Sequence, residues 1–162
     1  MRPTALPLVL ALAFTLASVV LGPIAGCGGS SGELHGSICS VYDCSYNTVS
    51  IRNVSDPQEP ITTVQVDFTD GPVNETVERA AVVVCDVSSF VKGEPLPATD
   101  VRRVGVDQIG FPTLKQATCT FSTDLAVGGQ VSGEFQAVFT TEMGTDRALY
   151  GNFEGPLQET GI

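Results

Sequence analysis

The sequence predicts an all-β domain, and three observations support this class. Val, Thr, Phe, Gly and Pro are plentiful after residue 27, whereas runs rich in Ala, Leu, Glu and Lys are missing. Apolar and polar residues alternate in short segments, and turn-forming residues recur about every 8 to 12 positions. About eight short strands of this kind predict an antiparallel two-sheet sandwich, with a small β-barrel as the alternative.

The clearest strand of the first half is residues 61–69, where apolar positions 64, 66 and 68 oppose polar positions 63, 65 and 67. The Val-rich residues 77–87 predict a central strand. Residues 93–99 contain two prolines and predict an irregular connection. Residues 101–109 predict a further strand, with Val104 and Val106 facing inward.

The last 30 or so residues predict a β-hairpin, because Val-x-Gly-x-Phe in the first half is answered by Leu-x-Gly-x-Phe in the second. Directly opposed residues share a face, so the odd-numbered apolar residues of both halves must oppose each other. This parity requires an odd number of loop residues, or a bulge that restores the phase, and we predict a loop of about three or five residues around Gly144-Thr145. Gly133 and Gly151 lie on the apolar face, which suits large side chains leaning across a curved sheet.

The first 27 residues have the pattern of an export signal. One positive charge, Arg2, precedes an uncharged apolar run from Ala5 to Leu21. The run is shorter than the roughly 20 residues of a bilayer-spanning helix. It is followed closely by the tetrapeptide Ile24-Ala25-Gly26-Cys27.

This tetrapeptide resembles the lipobox of bacterial lipoproteins, in which an aliphatic residue and two small residues precede a cysteine. The resemblance implies diacylglyceryl attachment to the Cys27 sulfur, cleavage before Cys27 and acylation of the new amino terminus. Two or more acyl chains give durable membrane anchoring. Gly28 follows Cys27 where Asp would signal inner-membrane retention in the family, so the resemblance favours the outer membrane. The final hairpin also resembles that of uncharacterised envelope lipoproteins of Gram-negative bacteria, through its Gly-x-Phe spacing.

The domain organisation follows from these patterns. Residues 1–26 are expected to be a signal peptide containing an apolar helix, and residues 27–36 a flexible tether because they are small, polar and aperiodic. Residues 37–162 are expected to form a single β-sandwich domain.

The charge balance excludes one class of partner. Seven basic and all 18 acidic residues follow Cys27, which leaves the mature chain at −11. A strongly acidic surface disfavours nucleic acid and offers no basic patch to anionic lipid. We therefore expect membrane contact through the acyl groups on Cys27 alone.

Four cysteines remain once Cys27 is lipidated, and an even number in an exported chain predicts two disulfides. Sequence alone leaves three pairings open. We prefer Cys39 with Cys44, which closes a short loop, and Cys85 with Cys119, because both of these lie in apolar rows of strands. A metal site is the alternative, but the chain has no C-x-x-C and its single histidine, His35, lies in the expected tether.

No catalytic constellation is legible, so we expect no enzyme activity and no cofactor. A Ser-His-Asp or Cys-His site needs a histidine within the fold, and His35 is expected to be a solvated side chain without a partner.

Two sets of polar residues could still bind a ligand. The side-chain oxygens of four residues near the end of the strand at 61–69 could bind Ca²⁺, although a solvated strand end is the preferred interpretation. These residues are Asp67, Asp70, Asn74 and Glu75. Three tyrosines could line a carbohydrate platform, although packing is preferred; they are Tyr42, Tyr46 and Tyr150.

Two functions stay open. The first is a lipid-anchored envelope protein with a structural or protein-interaction role and a possible envelope protein partner. The alternative is an anchored module that binds a small ligand or a glycan. An exposed apolar surface would favour the first, and a pocket with convergent polar groups and an aromatic wall would favour the second.

Overall fold

The computed structural model describes residues 29–70, 79–105 and 109–160. Cys27 and the expected signal helix lie outside these residues. Within them the chain forms one 3-10 helix, Ser37–Ser40, and eight strands. The strands are β1 (Ser31–His35), β2 (Thr48–Asn53), β3 (Thr63–Thr69), β4 (Arg79–Asp86), β5 (Pro95–Val104), β6 (Thr113–Phe121), β7 (Gln130–Thr140) and β8 (Asp146–Glu159). The prediction of an all-β class is confirmed.

The described strands form one sheet in the order β1-β8-β2-β3-β4-β5-β6-β7, and β7 pairs back onto β8. Seven strands therefore close a ring, with β1 added along β8. All pairings are antiparallel except that of β2 with β8, where Ile51 opposes Leu157. The expected division into two sheets is not found among these strands.

Two long strands explain why the sheet is continuous. Residues 95–97 of β5 pair with β6, whereas residues 98–104 pair with β4. Residues 146–156 of β8 pair with β7, and its last residues pair with β2. Each of these two strands therefore pairs with different neighbours along its length, which a short strand could not do.

The interior of the ring holds the core. The predicted inward row of β3, Val64, Val66 and Phe68, is fully buried. Aromatic rings from different strands meet here: the ring centroids of Phe68 and Phe135 are 5.9 Å apart. Those of Phe121 and Phe153 are 5.6 Å apart. Burying such side chains is the main favourable contribution to folding.

The predicted C-terminal hairpin is confirmed in parity and in loop length. Thr140 opposes Asp146, which leaves the five residues 141–145 as the loop. The Thr141 N–H donates to the Thr145 carbonyl at 3.0 Å, and Gly144 has a φ of 74°. This left-handed conformation suits glycine, because it has no Cβ to clash with the backbone.

Both preferred disulfides are present. Cys39, which lies in the 3-10 helix, bonds Cys44 with a Cα–Cα distance of 5.4 Å. Cys85 bonds Cys119 across the core, with a Cα–Cα distance of 6.1 Å. The second bridge joins β4 to β6, which are not neighbours in the sheet because β5 lies between them.

The expectation of a flexible tether is wrong for Ser31–His35, which form β1 and pair with residues 150–154 of β8. Gly32 makes this pairing close, since a Cβ on it would lie 2.6 Å from the Asn152 carbonyl oxygen. The partner strand lies more than 100 residues away in the chain, so no local pattern identified it.

The reading of residues 93–109 also needs correction. Pro95 and Pro97 lie inside β5, where the strand pairs with β6 alone, and such edge-like segments are where strands tolerate proline. Val104 is 38% exposed, whereas Val101 and Arg103 are buried. Val101 opposes the inward-facing Val83, so Val101 and Arg103 face inward and Val104 faces outward. Val106 lies outside the described residues.

The strand directions define two ends of the ring. The near end contains residues 29–30, the connections at 54–62, 87–94 and 122–129, and the end of β8. The far end contains the described connecting residues 41–47, 109–112 and 141–145. Among the described residues, no helix is long and apolar enough to cross a membrane.

Candidate functional site: a groove on the outside of the sheet

A groove crosses the outer face of strands β1, β8, β7 and β6. Its main part has a volume of about 360 Å³, with Phe135 and Gly151 at its base and Pro95 at its β5 side. Its volume is at the low end of the range typical for small-ligand sites. We call it the outer groove.

An aromatic pair lines one side of the outer groove. His35 of β1 and Tyr150 of β8 are register partners, so their side chains leave the sheet on the same face. The two rings stack with centroids 5.5 Å apart and planes 23° from parallel. Tyr150 remains 41% exposed, so this stacked pair still offers ring surface to a ligand.

Polar side chains form two cross-strand rows beside this pair. In the first row, Thr118 of β6 opposes Gln136 of β7, which opposes Tyr150. Pairing in register brings the Cβ atoms of such neighbours to within about 5 Å of each other. Strand alternation places every second residue on this face, so the row is a direct consequence of register.

The second row lies two residues further along each strand. Thr120 opposes Glu134, Glu134 opposes Asn152, and Asn152 opposes Glu33 of β1. The Asn152 amide donates to the Glu33 carboxylate at 3.5 Å. The two rows together present hydroxyl, amide and carboxylate groups on rigid strands.

The outer groove continues toward the near end in a second depression of about 310 Å³. Glu134 and Asn152 line both depressions, and Ser132 and Glu154 extend the second one. From Ser132 to Gln136 the floor runs about 14 Å along β7, at roughly 3.4 Å per residue.

The charge of the outer groove is negative. Glu134 and Glu154 line it, Glu33 lies beside it, and the described residues that line either depression include neither Lys nor Arg. Anionic ligands would therefore meet carboxylates without a compensating cation.

Of the three predicted platform tyrosines, Tyr150 alone lines the outer groove. Tyr42 packs edge-on against Phe111, with centroids 5.5 Å apart, and Tyr46 packs edge-on against Phe68 at 5.1 Å. Burial, assisted by the charge of Glu33, raises the pKa of Tyr46. These two tyrosines are packing residues, as the preferred interpretation held.

Sequence reasoning missed His35, because its segment was read as a tether. The signal that could have found it is the alternation of Ser31, Glu33 and His35 with Gly32 and Leu34. This period of two is the pattern of a short strand with one polar face.

Two of the four residues considered for Ca²⁺, Asp67 and Asp70, bind other side chains of the protein. Asp67 was predicted to be solvated, but its side chain is fully buried and pairs with Arg52 at 2.5 Å. The Gln65 amide also donates to both Asp67 oxygens, at 3.0 and 3.1 Å. Asp67 stays buried because cationic and amide donors satisfy its charge. Asp70 accepts a hydrogen bond from the Asn47 amide at 2.5 Å.

The other two oxygen donors considered for Ca²⁺, Asn74 and Glu75, lie outside the described residues. In the part of the chain that the structure describes, no group of three or more His, Cys, Asp or Glu residues could hold a metal ion.

Comparison with protein-family models, curated proteins and solved structures gave no match to the chain.

Proposed function

We propose that the chain is a lipid-anchored protein of the cell envelope, held at the outer membrane by acyl groups on Cys27. It acts without catalysis, and its folded domain has a structural or protein-interaction role with an envelope protein as partner. The apolar run before Cys27 and the lipobox-like tetrapeptide support the anchor. The net charge supports attachment through lipid alone.

The observation that carries this proposal is the start of β1 at Ser31, four residues after Cys27. Four extended residues span about 14 Å at most. Ser30 lies beside Gly155, since a Cβ on Gly155 would fall 2.5 Å from the Ser30 hydroxyl. The ring of strands is a small barrel in this proposal. A lipid on Cys27 would thus hold its near end directly at the membrane.

The far end would then point away from the lipid, and it carries exposed apolar side chains. Met143 is 92% exposed, Val41 is 58% exposed and Ile109 is 55% exposed. All three belong to connections between strands at the far end. Two apolar side chains are also exposed at the near end, Val91 and Val127, so the far end carries the larger share of the exposed apolar surface that a protein partner would cover.

Site-specific photo-cross-linking in the native envelope tests the proposed orientation. A photo-reactive residue at Met143 should capture one specific envelope protein. The matched control is Val127, which is 45% exposed but lies at the near end. Equal capture of the same protein from both positions, or no capture from either, would contradict the interaction role.

The second candidate function is an anchored module that binds a small ligand or glycan. The outer groove favours it, because the groove combines the stacked His35–Tyr150 pair with two rows of polar side chains.

A further inference from the structure

We propose that the outer groove binds a neutral oligosaccharide. This inference rests on the second candidate function, for which it specifies the ligand class and the residues that recognise it. Three features of the outer groove lead to this class: its aromatic wall, its balance of donors and acceptors, and its charge.

The aromatic wall suits a sugar ring. A pyranose has one face of C–H groups that packs on an aromatic ring, as other apolar surfaces do. Tyr150 is held by stacking on His35, so little side-chain entropy is lost when a ligand packs against it. The tyrosine hydroxyl adds a polar group at the rim of the same surface.

The polar rows match the hydroxyl groups of a sugar. Each sugar hydroxyl both donates and accepts hydrogen bonds, so its site needs groups of both kinds. The amides of Gln136 and Asn152 offer donors and acceptors, and the Glu134 carboxylate is an acceptor. The hydroxyls of Thr118 and Thr120 can serve as either.

The charge and the donors together select a neutral ligand. Carboxylates without Lys or Arg along the lining disfavour an anionic sugar. An ammonium ligand has donors but no acceptor, so it could not accept a hydrogen bond from the Gln136 amide. The continuity of the two depressions, through Glu134 and Asn152, fits more than one sugar unit.

The chain has one histidine, which makes His35 a unique reporter. The full chain, extracted in detergent, is titrated with neutral oligosaccharides such as cellohexaose, maltohexaose, mannohexaose and chitohexaose. The NMR signal of the His35 ring Cε1–H is followed. We expect at least one sugar to shift this signal saturably, with the same affinity at low and high salt, because no charge is paired.

Calorimetry on variants assigns the binding to the outer groove. Tyr150→Ala and Gln136→Ala should each weaken binding by about tenfold or more, equivalent to about 1.4 kcal/mol. Tyr150→Phe should retain most of the binding, because it keeps the stacked ring. Gln158→Ala is the matched control, since Gln158 is exposed on the same strand outside the lining, and its binding should be unchanged. Melting curves confirm that each variant folds.

Three outcomes would overturn the proposal. One is that no neutral oligosaccharide shifts the His35 signal. Another is that tetramethylammonium or an oligoglucuronate shifts it more strongly than every neutral sugar, with an affinity that changes with salt. The third is unchanged affinity in folded Tyr150→Ala. The mass of the same preparation reports lipidation independently, so failure of the anchor and failure of the groove are distinguishable.

Discussion

Phe135 of β7 is the register partner of Gly151 of β8, and its ring lies where a Cβ on Gly151 would have to be. The reverse arrangement occurs two residues away along each strand. A Cβ on Gly133 would fall 2.7 Å from the ring of its own partner, Phe153. Each phenylalanine thus fills the space over a glycine of the opposite strand, which joins the two strands within the core.

Replacing Gly151 with Ala should therefore destabilise the fold by about 1–3 kcal/mol, the usual cost of overpacking a core. Chemical denaturation measures the change. Gly110→Ala is the control, because a Cβ there meets nothing within 4 Å and the backbone is not left-handed. Equal stability of the two variants would show that Phe135 has room to move aside.

This hairpin could be predicted from sequence because its determinants are local. The parity of the apolar residues and the turn residues near Gly144 together fix register and loop length. Strand β1 could not be predicted in the same way, because its partner lies on β8 and its own residues are small and polar. The two prolines of β5 led to the wrong prediction of an irregular connection for a related reason. The sequence does not reveal that this part of the strand pairs on one side only.

The residues of the outer groove also differ in whether the sequence alone could predict their positions. Tyr150 was singled out in the sequence, and its outward direction follows from the alternation of β8. His35 was set aside, because only the pairing of β1 with β8 brings its ring to Tyr150. The rows formed by Gln136 and Glu134 depend on the register of three strands, which no single strand's pattern contains.

A pair of glycines in the N-terminal segment tests whether β1 is part of the fold. Gly32→Ala should destabilise the protein by about 1–3 kcal/mol, because its Cβ would press on the Asn152 carbonyl and the Phe68 ring. Gly29→Ala should have little effect, since its Cβ would meet nothing within 4 Å. A flexible tether would instead tolerate both changes equally, and thermal melting of the two variants decides between these cases.

The two disulfides should differ in what they contribute. Loop-closure entropy assigns about 4 kcal/mol to Cys85–Cys119, whose sequence separation is 34, and about 2 kcal/mol to Cys39–Cys44, whose separation is 5. The double variant Cys85→Ala with Cys119→Ala should therefore lower the free energy of unfolding more than Cys39→Ala with Cys44→Ala. Denaturation in urea measures both. The reverse order would mean that the short loop, rather than the core bridge, restrains the unfolded chain.

Stability should decrease in acid because three carboxyl groups have lowered pKa values. A hydrogen bond from Lys115, followed by one from Thr140, lowers the pKa of Asp146 below its ordinary 3.8. Ser88 lowers the pKa of Asp86 in the same way, and Ser45 that of Asp43. Below pH 3.8 the unfolded chain binds more protons than the folded chain, so stability is present above this pH and lost as pH falls through the lowered values.

Urea denaturation between neutral and acidic pH measures this dependence. Asp146→Asn should be less stable at neutral pH and should lose less stability in acid than the parent. Glu142→Gln, a change in the exposed loop beside it, serves as the control and should keep the parent's pH profile. A parent profile that stays flat below pH 3.8 would contradict the stabilising role of these hydrogen bonds.

The intact mass of the membrane-extracted protein, with and without reduction before thiol alkylation, tests the proposed anchor most directly. We expect a chain that begins at Cys27 and carries acyl groups. It should take up no alkyl group before reduction and four afterwards, one on each of Cys39, Cys44, Cys85 and Cys119. An unmodified mass, or a chain that keeps residues 1–26, would contradict lipid anchoring and leave a β-domain whose outer groove is tested separately.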